Sequence, residues 1–461
     1  MSGLTGKELK GEGKTTSRKA RKSGRALGTA TPSGSELLHR VFNQDDFAYR
    51  SETEGTPPQT PPISYEDDEY IMSGQITPAE GLMTPDDREA ASGSDMGTWD
   101  PKKLVQELQD KKTNRSETRE MLLEHYNKTM RSSYHEDMET LNTSELIDAF
   151  LRGANSSTNA NERSLSLQAY SLTICTANLS QSDMASRQTL KQILADDSNE
   201  ECKVQALYAL TCTIVYYGAG EDDIVEWLDF IVETIQSNGD SIGVTGKDGV
   251  ITALFECWGF AATFANIWYH ADSAMDAFVE KLDSPDVDTQ TSAAECIAYI
   301  FEASREHEQE EGEPFELPYD PIRVASRITD LSKGSSKSKS KQGRKDLRGG
   351  LRSVITSLEK GVGPYYSTAQ SLSTNKEQGY RYKLRKRHPA SSMGYVALVE
   401  TWDTYLRIAM LKKIFGGGME KQLEQENPMV KECLEGLDWS FVTKTDSRVG
   451  QQGGYNDVDD Y

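Results

Sequence analysis

The side chains best suited to chemistry in this 461-residue sequence are cationic. Arg323 to Lys413 contains 20 Lys and Arg against 6 Asp and Glu, a net of +14. The whole chain carries −22, so the remainder carries −36. Two runs stand out. Lys333–Arg352 reads "KGSSKSKSKQGRKDLRGGLR", and Arg381–His388 reads "RYKLRKRH". Lys337, Lys339, Lys341, Arg344 and Lys345 in the first run are candidate phosphate ligands. Arg381, Lys383, Arg385, Lys386 and Arg387 in the second are candidates too. Cations so placed neutralise phosphates and release counterions, which gives salt-sensitive, sequence-independent binding to nucleic acid. Tyr380, Tyr382 and His388 lie in or beside the second run, where aromatic rings could stack on unpaired bases. Contact with RNA, ribosomal RNA included, is the first reading. A nuclear-localisation signal is the second. A solvated or intramolecular role against the acidic remainder is the third.

Other patterns point away from catalysis. "GEGKTTS" at Gly11–Ser17 looks like a phosphate loop, but Glu8 stands where the first glycine is required, and no strand precedes it. The six histidines are isolated and form neither HExxH nor a His–Cys cluster. Acidic pairs such as Asp222 and Asp223 suit a solvated surface better than a general acid and base. No enzyme activity, cofactor, metal or small-molecule substrate is expected. The six cysteines are scattered without a CxxC pair, which suits buried thiols in a reducing compartment. The polar, basic N-terminus has no apolar signal-peptide core. Gly249–Tyr269 is apolar enough to resemble a membrane span, yet Glu256 and Asn266 would be costly in lipid. A buried central helix is the better reading, and the expected location is cytoplasmic, with a nuclear pool possible.

The elements that must position these groups are helical. The fold class expected is all-α: an armadillo/HEAT-like α-solenoid, then a small helical C-terminal module, with disordered tails at both ends. Residues 1–98 are rich in Gly, Ser, Thr and Pro and lack apolar periodicity. They hold five Thr-Pro steps, at Thr31, Thr56, Thr60, Thr77 and Thr84, candidates for proline-directed phosphorylation. The repeat domain is placed at 99–332. Ser116 and Thr143 or Ser144 can start its first helices. Three segments resemble one another: "NERSLSLQAYSLTIC" from Asn161, "NEECKVQALYALTCTI" from Asn199 and "DVDTQTSAAECIAYIF" from Asp286. Each opens on polar, acidic or amide residues, then places Ala and bulky apolar residues at helical spacing. A weak period near 40 residues suggests stacked helical repeats. Glu306–Pro321 is expected as an acidic loop before a short helix at Ile322–Leu331. A basic linker follows at 333–346, a helical module at 347–443 and an acidic tail at 444–461.

The C-terminal module resembles the interferon-related developmental regulator family. "GRKDLRGGLRSVITSLEKG" is followed by "MGYVALVETWDTYLRIAMLKKIFGGGMEKQLEQENPMVKECLEGL". Trp402, Tyr405, Leu406, Phe415, Gly416, Gly418, Leu423 and Asn427 stand at places that match the family pattern. The resemblance runs over roughly residues 100–440. It implies an armadillo-like N-terminal domain and a non-catalytic regulator of gene expression. Two roles are implied: binding and inactivating the ribosome through ribosomal RNA and the tRNA sites, or transcriptional co-regulation with corepressor or histone-deacetylase complexes, partners being held on the concave face. Two departures stand out. The tail "GGYNDVDDY" is acidic where a basic extension is expected, and "KQL" at Lys421–Leu423 replaces "HLQ".

Overall fold

The computed structural model describes residues 106, 116–135, 143–177, 184–312, 317–334, 341–370, 375–387 and 394–442, with backbone alone for a few of them, 341–348 among these. All belong to one compact unit, Asp67–Tyr461. The Thr-Pro positions Thr31, Thr56, Thr60, Thr77 and Thr84, the N-terminal tail and the acidic C-terminal tail lie outside the described residues.

Among the described residues, eleven helices run from α1 (Ser116–Ser132) through α2 (Thr143–Ser156), α3 (Ala160–Ile174), α4 (Met184–Asp196), α5 (Glu200–Tyr217), α6 (Glu221–Gln236), α7 (Asp248–Ala262), α8 (Ala271–Lys281), α9 (Val287–Glu311) and α10 (Pro321–Gly334) to α11 (Lys341–Lys360). From α2 onward they pack as consecutive antiparallel-type pairs, and the pairs stack side by side. One layer holds α1, α3, α5, α7, α9 and α11; the other holds the even-numbered helices. The three similar sequence segments are α3, α5 and α9, all in the first layer. Their polar starts are helix caps. Asn159 accepts from Asn161 N, Asn199 from Cys202 N, and Asp286 from Thr289 N.

Each repeat is tied to the next by polar contacts through the apolar layer. Tyr126 and Thr173 hydroxyls bond at 2.7 Å, and Tyr170 and Thr213 repeat the contact at 2.9 Å. Lys203 is buried but satisfied, its Nζ donating to Leu194 O, Ala195 O and Ile242 O. Such pairing is what a buried cation requires. All six cysteines are free and buried. The apolar stretch Gly249–Tyr269 is helical as far as Ala262, as α7 in the first layer; a turn and a short 3-10 segment at Trp268–His270 take up the rest. Among the described residues no helix is long and apolar enough to cross a membrane.

Two expectations need correction. Glu306–Glu311 is no loop but the last turns of α9, which stops at Gly312 in the left-handed conformation. Solvated glutamates favour helix, so charge alone does not mark a loop. The second concerns the C-terminal module, which is not wholly helical. It carries β1 (Tyr366–Gln370), β2 (Glu377–Tyr380), β3 (Lys383–Arg387), β4 (Gly394–Leu398) and β5 (Trp439–Val442). β1 and β2 form a hairpin; β3, β4 and β5 form an antiparallel sheet in that order. The run "KLRKR" places Leu384 inward and Lys383, Arg385 and Arg387 outward, a period of two that its charge conceals. Three further helices complete the module: α12 (Trp402–Phe415), α13 (Met419–Glu424) and α14 (Pro428–Cys433).

Helix α12 lies against α1, α3, α7 and α9. Its 14 residues span about 21 Å. Its Trp402, Tyr405, Leu406, Leu411 and Phe415 are buried, so the apolar side of α12 becomes part of the core.

Candidate nucleic-acid interface

The C-terminal module is held against the helical layers by the docking of α12. Thr401 caps this helix through its side chain, and Glu302 of α9 accepts from Trp402 N at 2.5 Å and Asp403 N at 3.3 Å. A carboxyl group there meets the positive end of the helix dipole. Burial pushes the Glu302 carboxyl up to about 8, with Glu306 adding to the rise. The Trp402 ring is wholly buried and its Nε1 donates to Ser357 Oγ at 3.0 Å. Tyr405 donates to Glu295, whose carboxyl desolvation raises to about 7. Arg407 reaches the end of α7, donating to Thr263 O at 2.6 Å, to Thr263 Oγ1 and to Asp403. Lys413 pairs with Glu256 at 2.9 Å, and Tyr208 donates to the other oxygen of that carboxylate. Glu256, the single charge that broke the apolar stretch, is thus the acceptor for a cation from the C-terminal module.

Beyond α12 the chain closes on α1 and α3. A β-carbon at Gly418 would overlap the Arg131 carbonyl oxygen, so only glycine fits that approach. Gln422 donates to Met130 O at 2.7 Å. Asn427 is fully buried; its amide donates to Cys175 O and Gln422 Oε1, while its oxygen accepts from Met429 N and Val430 N. The residues that carried the family resemblance are therefore largely the ones that seat the module. Trp402, Tyr405, Leu406, Phe415 and Leu423 are all buried there.

The cations of β3 are placed differently. Val399 N bonds Tyr382 O, and β3 pairs with β4 from Lys383↔Leu398 to Arg387↔Gly394. Leu384 and Ala397 face the core, so Lys383, Arg385 and Arg387 project from the opposite, solvated face. Lys383 and Arg385 are exposed and no ion pair is recorded for either among the described residues. Alternate residues on a strand are roughly 6.8 Å apart, so the two make a linear pair of cations. Lys386, on the inward face, pairs with Glu426 at 3.3 Å, and Arg387 approaches Glu424 at 3.8 Å. Arg381 donates to Gln378.

The remaining expected residues divide as follows. Lys341, Arg344 and Lys345 lie in the first turns of α11 and not in a linker. Lys337, Lys339 and His388 lie outside the described residues. Tyr382 does not offer a stacking face. It is buried among Tyr365 and Tyr405, with Lys412 Nζ donating to its hydroxyl at 3.0 Å, and burial raises the pKa of its phenol. Tyr380 is half-buried, edge to face with Tyr366 at 5.1 Å. The exposed aromatic of the sheet among the described residues is instead Phe441, 49% exposed, whose cross-strand partner, the half-buried Tyr395, lies 5.4 Å away. The alternation in "GYVAL" and "WSFV" is the signal that could have found them.

The chain is 25% identical over 179 residues to an uncharacterised protein of Schizosaccharomyces pombe; that alignment covers 36% of this chain and 40% of the relative. The interferon-related developmental regulator family matches residues 79–359, which takes in both helical layers and ends in α11, before the sheet. Since that match spans more than half the sequence, this chain belongs to the interferon-related developmental regulator family.

Proposed function

We propose that this protein is a non-catalytic regulator of gene expression that binds the ribosome, with an armadillo-type solenoid as platform and the basic C-terminal half as RNA contact. The observation that supports this most is the exposed pair Lys383 and Arg385 on β3, on either side of the buried Leu384, in a chain whose net charge is −22. Two solvated cations kept on a strand add counterion release on contact with phosphate. Lys337, Lys339, Lys341, Arg344 and Lys345 extend the same function from the other basic run. Helix α12 packs on α1, α3, α7 and α9 of the first layer, which leaves less of that layer for a corepressor or deacetylase complex.

Co-sedimentation of the full chain with ribosomes on sucrose gradients tests the proposal. Binding is expected at low salt, with loss as salt rises and abolition when both basic runs are neutralised to Gln. Ribosome association unchanged in that variant sinks the RNA contact. A nuclear pool held by a deacetylase complex and absent from ribosomes favours the transcriptional reading.

A further inference from the structure

The outward face of the three-stranded sheet is set by its register. Lys383 opposes Leu398 on β4, and Arg385 opposes Val396, which opposes Ser440 on β5. Side chains directly opposite one another share a face. Lys383, Arg385, Leu398 and Ser440 are exposed, and no acidic side chain pairs with either cation among the described residues. β5 ends at Val442, and the sequence continues as "TKTDSRVGQQGGYNDVDDY". Residues 449–461 hold Asp457, Asp459 and Asp460 and no Lys or Arg. Asp457 and Asp459 are two positions apart, as are Lys383 and Arg385. In extended chain that spacing is roughly 6.8 Å for both pairs, so one carboxylate can meet each cation. The reach also fits. Val442 opposes Gly394, which opposes Arg387. Two strand spacings, with two or four residues along β3, put Arg385 about 12 Å and Lys383 about 17 Å from Val442. Residues 443–456 lie between β5 and the acids, and a Gly/Gln-rich chain of that length reaches roughly 20 Å.

We propose that the segment Asp457–Asp460 of this chain docks on the outward face of the sheet, with its carboxylates on Lys383 and Arg385, and so competes with RNA phosphates for them. The competition rests on the RNA-contact reading; the docking does not. Exposed ion pairs are individually weak. Tethering offsets this, because a linker whose reach matches the span holds the acid at an effective concentration on the order of millimolar. An RNA that brings several phosphates to the basic half displaces so weak a contact, whereas a lone anion does not. The acidic segment therefore raises the threshold for RNA binding without blocking it.

Two measurements on the purified full chain test this. Zero-length carbodiimide coupling at low salt, read by peptide mass spectrometry, is expected to join Lys383 to Asp457, Asp459 or Asp460 within one molecule. The coupling is expected to fade as salt rises. Fluorescence anisotropy with a labelled oligouridylate is the second. Asp457→Asn/Asp459→Asn/Asp460→Asn is expected to bind roughly 2- to 30-fold tighter than the wild type at low salt, the range for release of two exposed pairs. The two should converge as salt screens those pairs. In the Lys383→Gln/Arg385→Gln background the same three Asn substitutions are expected to change affinity by less than about 2-fold. An unchanged unfolding curve controls for folding. A gain of full size in that background overturns the docking, because it then reflects repulsion between the acidic segment and RNA. So does coupling spread evenly over exposed lysines such as Lys360 and Lys376, or found only in covalent dimers. Coupling at Lys383 with no gain in RNA affinity overturns the competition. No RNA binding by any variant, with that coupling intact, overturns the RNA reading and leaves the docking.

Discussion

Cations from the basic half of this chain sit in two opposite environments. Arg407 and Lys413 of α12 are mostly covered by the first helical layer, where Thr263, Asp403 and Glu256 satisfy them. Lys383 and Arg385 of β3 are only some 25 residues earlier, yet stand in solvent with no ion pair recorded among the described residues. A buried cation that loses its partner costs stability and contributes nothing to an outside ligand. An exposed one contributes little to stability and keeps its charge for a phosphate. The difference is one of register and packing, not of composition, so a charge count alone cannot separate structure from function.

The largest effect expected is on the docked side. Trp402→Ala removes a wholly buried ring and its bond to Ser357, and should cost about 3–5 kcal/mol in denaturant unfolding. A cost below about 1 kcal/mol would mean that α12 is not part of the core.

The docked side should also respond to pH. Glu302, facing Asp403 on α12 with Arg305 and Glu306 beside it on α9, has its carboxyl raised from 4.5 to about 8. The folded state therefore holds a proton that the unfolded chain has already released. This contribution is complete below the unfolded value and fades as pH rises towards 8. On the order of 2 kcal/mol should be lost between pH 6 and pH 9 from this group alone. Glu302→Gln keeps an oxygen for Trp402 N and Asp403 N but does not titrate, so its unfolding midpoint should vary less with pH. An identical pH profile in the variant would contradict the assignment.

Lys413→Met should cost about 1–2 kcal/mol by leaving Glu256 with only the Tyr208 hydroxyl, a figure reduced because both partners keep some solvent access. The smallest effect belongs to β3. Lys383→Gln/Arg385→Gln should change unfolding by less than about 0.5 kcal/mol, as surface substitutions do. A larger loss would show that these cations are structural too.

Much of the helical architecture was legible because apolar residues recur at helical spacing and capping residues mark the starts, as at Asn159, Asn199 and Asp286. The long apolar stretch around Glu256 read correctly as a buried helix. The sheet was hidden. β3 has one buried side chain, Leu384, between charges, and β5 lies some 40 residues downstream of its partner β4. Neither long-range pairing nor the burial of Tyr382 leaves a local trace. The docking of α12 was equally hidden, because its contacts join residues a hundred or more positions apart, as with Trp402 and Glu302 or Gln422 and Met130. The family pattern pointed to the right residues there, but for seating the module and not for touching a ligand.

The most direct test of the division between docked and free cations is the salt dependence of binding to purified ribosomes, wild type against Lys383→Gln/Arg385→Gln. Each phosphate contact contributes about 0.7 to 0.9 to the slope of log affinity against log salt. The variant should show a slope shallower by about 1.4 to 1.8, with the same unfolding midpoint as the wild type. An unchanged slope would contradict the account.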